Sequence, residues 1–259
     1  MTLIPVTTSP VPPDRGCGGD IALVARALPL FPVERTMRLA ALAEARGCAP
    51  VRIGWAAAFI RGYGLVAREL PILRTWLARG LRPRFATAAE SVATLAVNRP
   101  ETGTDRLFFA RIPRPESTPL TAIQDAIDGC TTRPVAEAFR RQLELERLPG
   151  PLRRAILRWN MGSASRKRPA RIGTFSLSTL AGFQATNRFH PTLCTTSLSY
   201  GPLERDGRCL VTLIADHRVL DGATAARALE RLEQVLTAEI ATEVATGDAR
   251  PGLPPAAAA

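Results

Sequence analysis

Residues 211–222 read VTLIADHRVLDG, and the rest of the chain is organised around them. The run from Leu210 to Ile214 is apolar and rich in β-branched residues, the character of a mostly buried strand. It ends at Asp216-His217-Arg218, and an alanine-rich helical pattern starts at Asp221-Gly222. His217 is one of two histidines in 259 residues. A histidine at the mouth of a strand is well placed to move protons, because its ordinary pKa lies near neutrality. The plainer alternative is a structural histidine paired with Asp216 or Asp221.

On the C-terminal side, residues 223–242 place Ala226, Leu229, Leu232, Leu236 and Ile240 on one helical face. From residue 244 onward the chain turns rich in Pro, Ala and Gly, which predicts a disordered tail over 244–259. On the N-terminal side, residues 193–200 and 208–215 have strand patterns joined by a turn over 201–207. Residues 172–180 (IGTFSLSTL) alternate apolar and small polar residues, as a half-buried strand does. Cys194 and Cys209 fall inside strand patterns and read as core residues. His190, just before Pro191, reads as a loop or rim residue with substrate contact as the alternative.

Further upstream, residues 1–30 hold five of the 22 prolines and are expected to form an extended arm. Helices are predicted over 33–46, with Gly47 as the stop, and over 51–69, where Trp55, Phe59 and Tyr63 recur every fourth residue and suit core packing. Strands are predicted within 85–98 and over 107–112. Two more helices are predicted: 118–128, capped by Thr118 or Ser117, and 135–148, with Pro134 in its first turn. Residues 151–170 set Leu152, Ile156 and Trp159 beside Arg153, Arg154 and Arg158, followed by Arg166-Lys167-Arg168. That pattern fits a core helix with a solvated arginine face. It also fits a helix that docks on an anionic lipid surface or an acidic protein. With no repeats and no internal linker, residues 31–243 read as one α/β domain.

Composition narrows the function classes. Hydrophobic residues make up 46% of the chain, enough for a sizeable core. Five cysteines without a CxxC pair argue against a disulfide framework or a zinc site and fit a reducing cytoplasm, and two distant histidines leave no metal site. No secretory leader or spanning segment is expected, so the chain reads as soluble or at most peripheral to a membrane. The net charge of +11 comes almost wholly from arginine. Aromatic residues at 5% and the lack of a binding motif argue against nucleic acid. Coding bias accounts equally well for the arginine, and an anionic partner such as coenzyme A phosphates is the functional alternative.

HRVLDG fits His-x-x-x-Asp-Gly, and it sits inside a longer match. IGTFSLSTLAGF, HPTLCTTSLSYG and LVTLIADHRVLDGATAARALERL, in that order, resemble the catalytic domain of the dihydrolipoamide acyltransferases of 2-oxoacid dehydrogenase complexes. These belong to the chloramphenicol acetyltransferase-like superfamily. The match covers 172–238, loosens over 50–99 and fades over 100–170. The resemblance implies an α/β, two-layer, mainly antiparallel sheet flanked by helices, in a homotrimer with active sites between subunits.

It also implies site residues. His217 would be the general base, Asp221 would orient the motif through an ion pair, and Gly222 would allow the turn into the helix. Ser178 would stabilise the oxyanion, with Ser176 as the neighbouring candidate. His190, Ser176 and Arg218 are candidate substrate contacts. The expected activity is acyl transfer from acyl-CoA or an acyl-carrier protein to a hydroxyl, thiol or amine. No covalent acyl-enzyme is expected, since no G-x-S-x-G elbow is present, and no cofactor is expected to be tightly bound. No lipoyl or subunit-binding module accompanies the match, so the chain is expected to act alone. The alternative is a non-catalytic scaffold or accessory subunit of such an assembly.

Overall fold

Alternation along the strands builds a sheet with one apolar and one mixed face. The computed structural model describes residues 13–101 and 104–247. Its first part contains α1 (Pro13–Ala25), β1 (Leu30–Arg38), α2 (Ala40–Cys48), α3 (Trp55–Glu69), β2 (Thr75–Ala78) and β3 (Arg84–Thr87). The middle contains β4 (Val92–Glu101), β5 (Thr104–Pro113), α4 (Leu120–Thr132), α5 (Val135–Ala138), α6 (Arg140–Glu146), α7 (Gly150–Gly162) and α8 (Arg168–Ile172). The last part contains β6 (Phe175–Leu177), β7 (Thr196–Tyr200), β8 (Arg208–Asp216), α9 (Gly222–Val235) and α10 (Ala241–Thr246). Six strands form the main sheet in the order β1-β8-β7-β6-β4-β5, and β2 and β3 form a separate ribbon. Three of the five pairings in the main sheet are antiparallel, and β6 runs parallel to both neighbours. This is the expected architecture of a mainly antiparallel sheet flanked by helices.

One face carries Leu95, Phe108, Leu177, Leu198 and Leu213, all buried in the main core with Phe59 and Tyr63 of α3 and Leu232 of α9. Each large apolar side chain buried this way contributes about 1.5–3 kcal/mol. Phe59 stacks on Tyr200 with ring centres 4.4 Å apart, so the aromatic row of α3 is core, as its spacing suggests. The opposite face is mixed, with Ala96, Leu107 and Phe109 beside a polar row. Arg111, Thr94, Ser176 and Ser197 lie opposite one another in a single row across β5, β4, β6 and β7.

Several expectations are corrected. Residues 33–38, read as the start of a helix, belong to β1, whose side chains are mostly half-buried or exposed at the sheet edge. There the pairing with β8 outweighs a helical spacing that arises only by coincidence. Residues 13–25, read as part of an extended arm, form α1; residues 1–12 lie outside the described residues. Val24 and Ala25 bury with Leu157, Met161 and Ile172 in a second, smaller core. Asp20, 3% exposed, accepts hydrogen bonds from Arg153 Nε at 2.6 Å and Arg154 Nη1 at 2.9 Å. Two of the three arginines assigned to a docking face therefore point inward.

Pro119, not Thr118 or Ser117, occupies the N-cap of α4, because the Thr118 hydroxyl donates to the Arg114 carbonyl at 2.8 Å. The helix predicted over 135–148 breaks at Phe139, whose ring leaves the helical path to stack on Phe108 at 4.6 Å. Pro134 precedes the first helical position as its N-cap. Residues 244–246, assigned to a disordered tail, complete α10, where Val244 is 2% exposed; residues 248–259 lie outside the described residues. All five cysteines are free: Cys17, Cys194 and Cys209 are buried, Cys130 is half-buried and Cys48 is exposed. Among the described residues no helix is long and apolar enough to cross a membrane.

Candidate functional site

His217 follows the last residue of β8, and its backbone N–H donates to the Pro29 carbonyl at 3.0 Å. The backbone N–H groups of Val219 and Leu220 both donate to the Asp216 carbonyl, folding the chain back on itself. Leu220, 3% exposed, anchors this turn in the core. The imidazole remains exposed, with Phe31 packed beside it at 4.7 Å between ring centres. Its Nδ1 lies 3.1 Å from the Leu220 carbonyl oxygen. A carbonyl can only accept, so in the neutral ring the contact assigns the proton to Nδ1 and leaves the lone pair on Nε2. Neither Asp216 nor Asp221 takes the imidazole as a partner.

The flanking charged residues hold the turn. Asp216, 4% exposed, accepts from Arg218 Nε at 2.9 Å and from Arg218 Nη2 at 2.6 Å. The guanidinium fork expected to touch substrate is thus engaged by Asp216, which raises the Arg218 pKa. Asp221 was expected to form an orienting ion pair. It instead caps α9, accepting from the Thr224 backbone N–H at 2.7 Å, which holds its carboxyl below the usual range. Gly222 opens α9, and a Cβ there would meet nothing within 4 Å. Neither a left-handed turn nor a close approach requires that glycine.

Ser176 and Ser178 project from the mixed face into a cavity of about 690 Å³ that His190 also lines. Ser176 Oγ lies 2.6 Å from Ser197 Oγ and 2.9 Å from Thr192 Oγ1, and Ser197 Oγ lies 2.7 Å from His190 Nε2. His190 Nδ1 in turn lies 3.3 Å from Asn187 Nδ2. Burial pushes the His190 pKa down to about 4, so the ring is neutral at pH 7. His190 is therefore a largely enclosed member of a hydroxyl chain rather than a rim residue. The Ser178 backbone N–H donates to the Leu198 carbonyl at 3.0 Å and carries the parallel register one residue past β6.

No protein-family model matches the chain, and a search of curated proteins finds no match. Solved structures do match. The probable dihydrolipoamide acetyltransferase of Listeria monocytogenes 4b F2365 aligns at 15% identity over 89% of this chain and 94% of that one, with a TM-score of 0.61. The cubic core of a pyruvate dehydrogenase multienzyme complex aligns at 18% identity over 93% and 99%, with a TM-score of 0.60. The dihydrolipoamide acetyltransferase of Azotobacter vinelandii aligns at 16% identity over 93% and 98%, with a TM-score of 0.61. The chain has the fold of dihydrolipoamide acetyltransferase catalytic cores.

Within that acetyltransferase-core fold, one chain does not bring His217 and Ser178 together. Ser178 continues β6 to the level of Ser199 on β7, which faces Thr212 on β8. His217 lies five residues further along β8 and two strands across, a separation of roughly 15–20 Å at ~3.3 Å per residue and ~4.8 Å per strand. The sheet instead gathers Ser176, Ser178, Ser197 and His190, and sets Arg111 in the same row as Ser176. The sequence reading missed Ser197 and Arg111. The polar alternation of TTSLSYG was a signal for Ser197. Nothing local marked Arg111, because pairing between distant strands puts it there.

Proposed function

We propose that the chain is an acyltransferase in which His217 is the general base and Ser178 of a neighbouring copy is the oxyanion donor. The single observation that carries this is the His217 Nδ1 contact with the Leu220 carbonyl, which in the neutral ring puts the proton on Nδ1 and the lone pair on Nε2, on an exposed residue at the end of β8. The fold supports the reading. So does the Azotobacter protein, where a serine, a histidine and an asparagine four positions beyond the histidine have been investigated for their role in the catalytic mechanism. The same spacing separates His217 from Asp221, which caps α9 in this chain.

In this mechanism Nε2 takes the proton of an acceptor thiol, hydroxyl or amine as that atom attacks the thioester carbonyl. The carbonyl electrons move to oxygen, where the Ser178 O–H donates a hydrogen bond. The intermediate collapses by expelling the donor thiolate, which takes the proton back from the imidazolium. A base of this kind contributes about 10²–10⁴ in rate, and one oxyanion donor about 10²–10³. Acyl-CoA or an acyl-carrier protein is the donor in this reading, and a homotrimer supplies the second copy. Any contact with an anionic lipid or acidic protein would use Leu152, Arg158 and Trp159 on α7 together with Arg166 and Lys167 after it, which remain exposed.

The test is turnover of an acyl-CoA panel against thiol, alcohol and amine acceptors. His217→Ala should lose at least 10²-fold in kcat and Ser178→Ala about 10²-fold, both without unfolding. Full activity in His217→Ala refutes the mechanism. No turnover on any thioester, together with a stable co-purifying partner, favours the scaffold reading.

A further inference from the structure

The cavity under the mixed face has the volume of a small-molecule site, about 690 Å³. Ile21, Leu107, Phe109, Leu145, Ile156 and Leu157 give it mostly apolar walls. Its charge is one-sided: Arg111, Arg140, Arg141 and Arg171 line it against one carboxylate, Glu137, which is exposed. Arg140 is turned toward Glu144 at 2.8 Å, and Arg171 donates to Asn160 Oδ1 at 2.8 Å.

Arg111 differs from these. Its Nη1 donates to the Phe109 carbonyl at 3.2 Å and its Nη2 to the Arg171 carbonyl at 2.8 Å, while its buried Nε has no partner. Among the described residues, no carboxylate pairs with it. Burial disfavours its charged form, yet a guanidinium stays protonated in proteins. Arg111 is half-buried, and a cation drawn out of bulk water without a counter-charge is a destabilising arrangement unless something supplies one. Arg168 is a useful contrast. It is fully buried and also lacks a carboxylate, but it lies over the Trp76 ring at 4.4 Å, and the small pocket beside it holds only about 30 Å³.

We infer that this cavity binds an amphipathic carboxylate, whose apolar body lies along the walls and whose carboxylate pairs with the open donors of Arg111. The inference goes beyond the acyl-transfer reading: Ser178, the proposed oxyanion donor, shares this wall, but the carboxylate recognition rests on Arg111, and His217 of the same chain lines no part of the cavity. Ser176 and Ser178 on the wall set the bound molecule beside the hydroxyl chain that ends at His190.

Titration calorimetry of the full chain with sodium octanoate and with 1-octanol tests this. Octanoate should bind one per chain and at least ten-fold more tightly than octanol. Arg111→Met should bring octanoate down to the octanol level, and Ala96→Phe, which fills the cavity from β4, should abolish binding of both. His217→Ala should bind octanoate like the parent, which separates this site from the proposed catalytic base. Equal affinity for octanoate and octanol, no binding of either, or unchanged octanoate binding in folded Arg111→Met overturns the assignment. If Arg111→Met does not fold, the octanoate–octanol contrast in the parent and the loss in Ala96→Phe still decide it.

Discussion

Burial holds the imidazole of His190 at a pKa of about 4, against 6.5 for the free side chain. Between those two values the unfolded chain binds a proton that the folded chain does not, so acid favours unfolding. The contribution of His190 to stability is complete above about pH 6.5 and is lost as the pH falls toward 4. The slope from one such group reaches at most about 1.4 kcal/mol per pH unit. His190→Gln cannot titrate in this range. Urea unfolding should therefore show the parent losing roughly 1–2 kcal/mol more than the variant between pH 7 and pH 5. Parallel losses in the two proteins would contradict burial as the cause. The position of His217 at a strand end was legible from sequence because it rests on a local turn written within six residues. His190 was not, since its environment comes from Ser197 on β7 and from the cavity wall.

The carboxylate of Asp20, on a buried side chain, ties α1 to two arginines of α7. Removing it leaves Arg153 and Arg154 partly buried without their counter-charge, which costs about 3–5 kcal/mol. Asp20→Ala should lower the unfolding free energy by roughly that amount and raise hydrogen exchange across α1. Arg158→Gln, on the exposed face of the same helix, should stay within about 0.5 kcal/mol of the parent. Equal effects of the two changes would mean that the ion pairs hold nothing. These elements also show which parts of the fold sequence conveys. α3, α9 and β8 each bury a wide apolar surface, and their patterns read correctly except at Ala226, which is exposed while Ala225 and Ala228 face the core. β1 is an edge strand whose Met37 and Val33 sit at helical spacing by chance, and only β8 decides its conformation. α1 has a short apolar face that acquires meaning once α7 covers it.

At the scale of the molecule, the span between His217 and Ser178 makes assembly a condition of the proposed chemistry. In a cyclic trimer each site would take the histidine of one copy and the serine of the next. Co-refolding inactive His217→Ala with inactive Ser178→Ala in equal amounts should therefore restore activity in about a quarter of the sites. A mixture as dead as its parents would place both groups in one chain or remove one of them from the mechanism. Sequence pointed to the pair through its resemblance, but a sheet register was needed to show how far apart they lie. The number of chains in the assembly can be read through a side chain with no part in the chemistry. Cys48 is exposed, whereas burial raises the thiol pKa of Cys17 and Cys209 to about 11 and that of Cys130 to a lesser degree, and Cys194 is enclosed. A maleimide dye at neutral pH should react first and fastest at that one position. Each chain then carries one fluorophore, and the steps in which a single particle bleaches count the copies it contains.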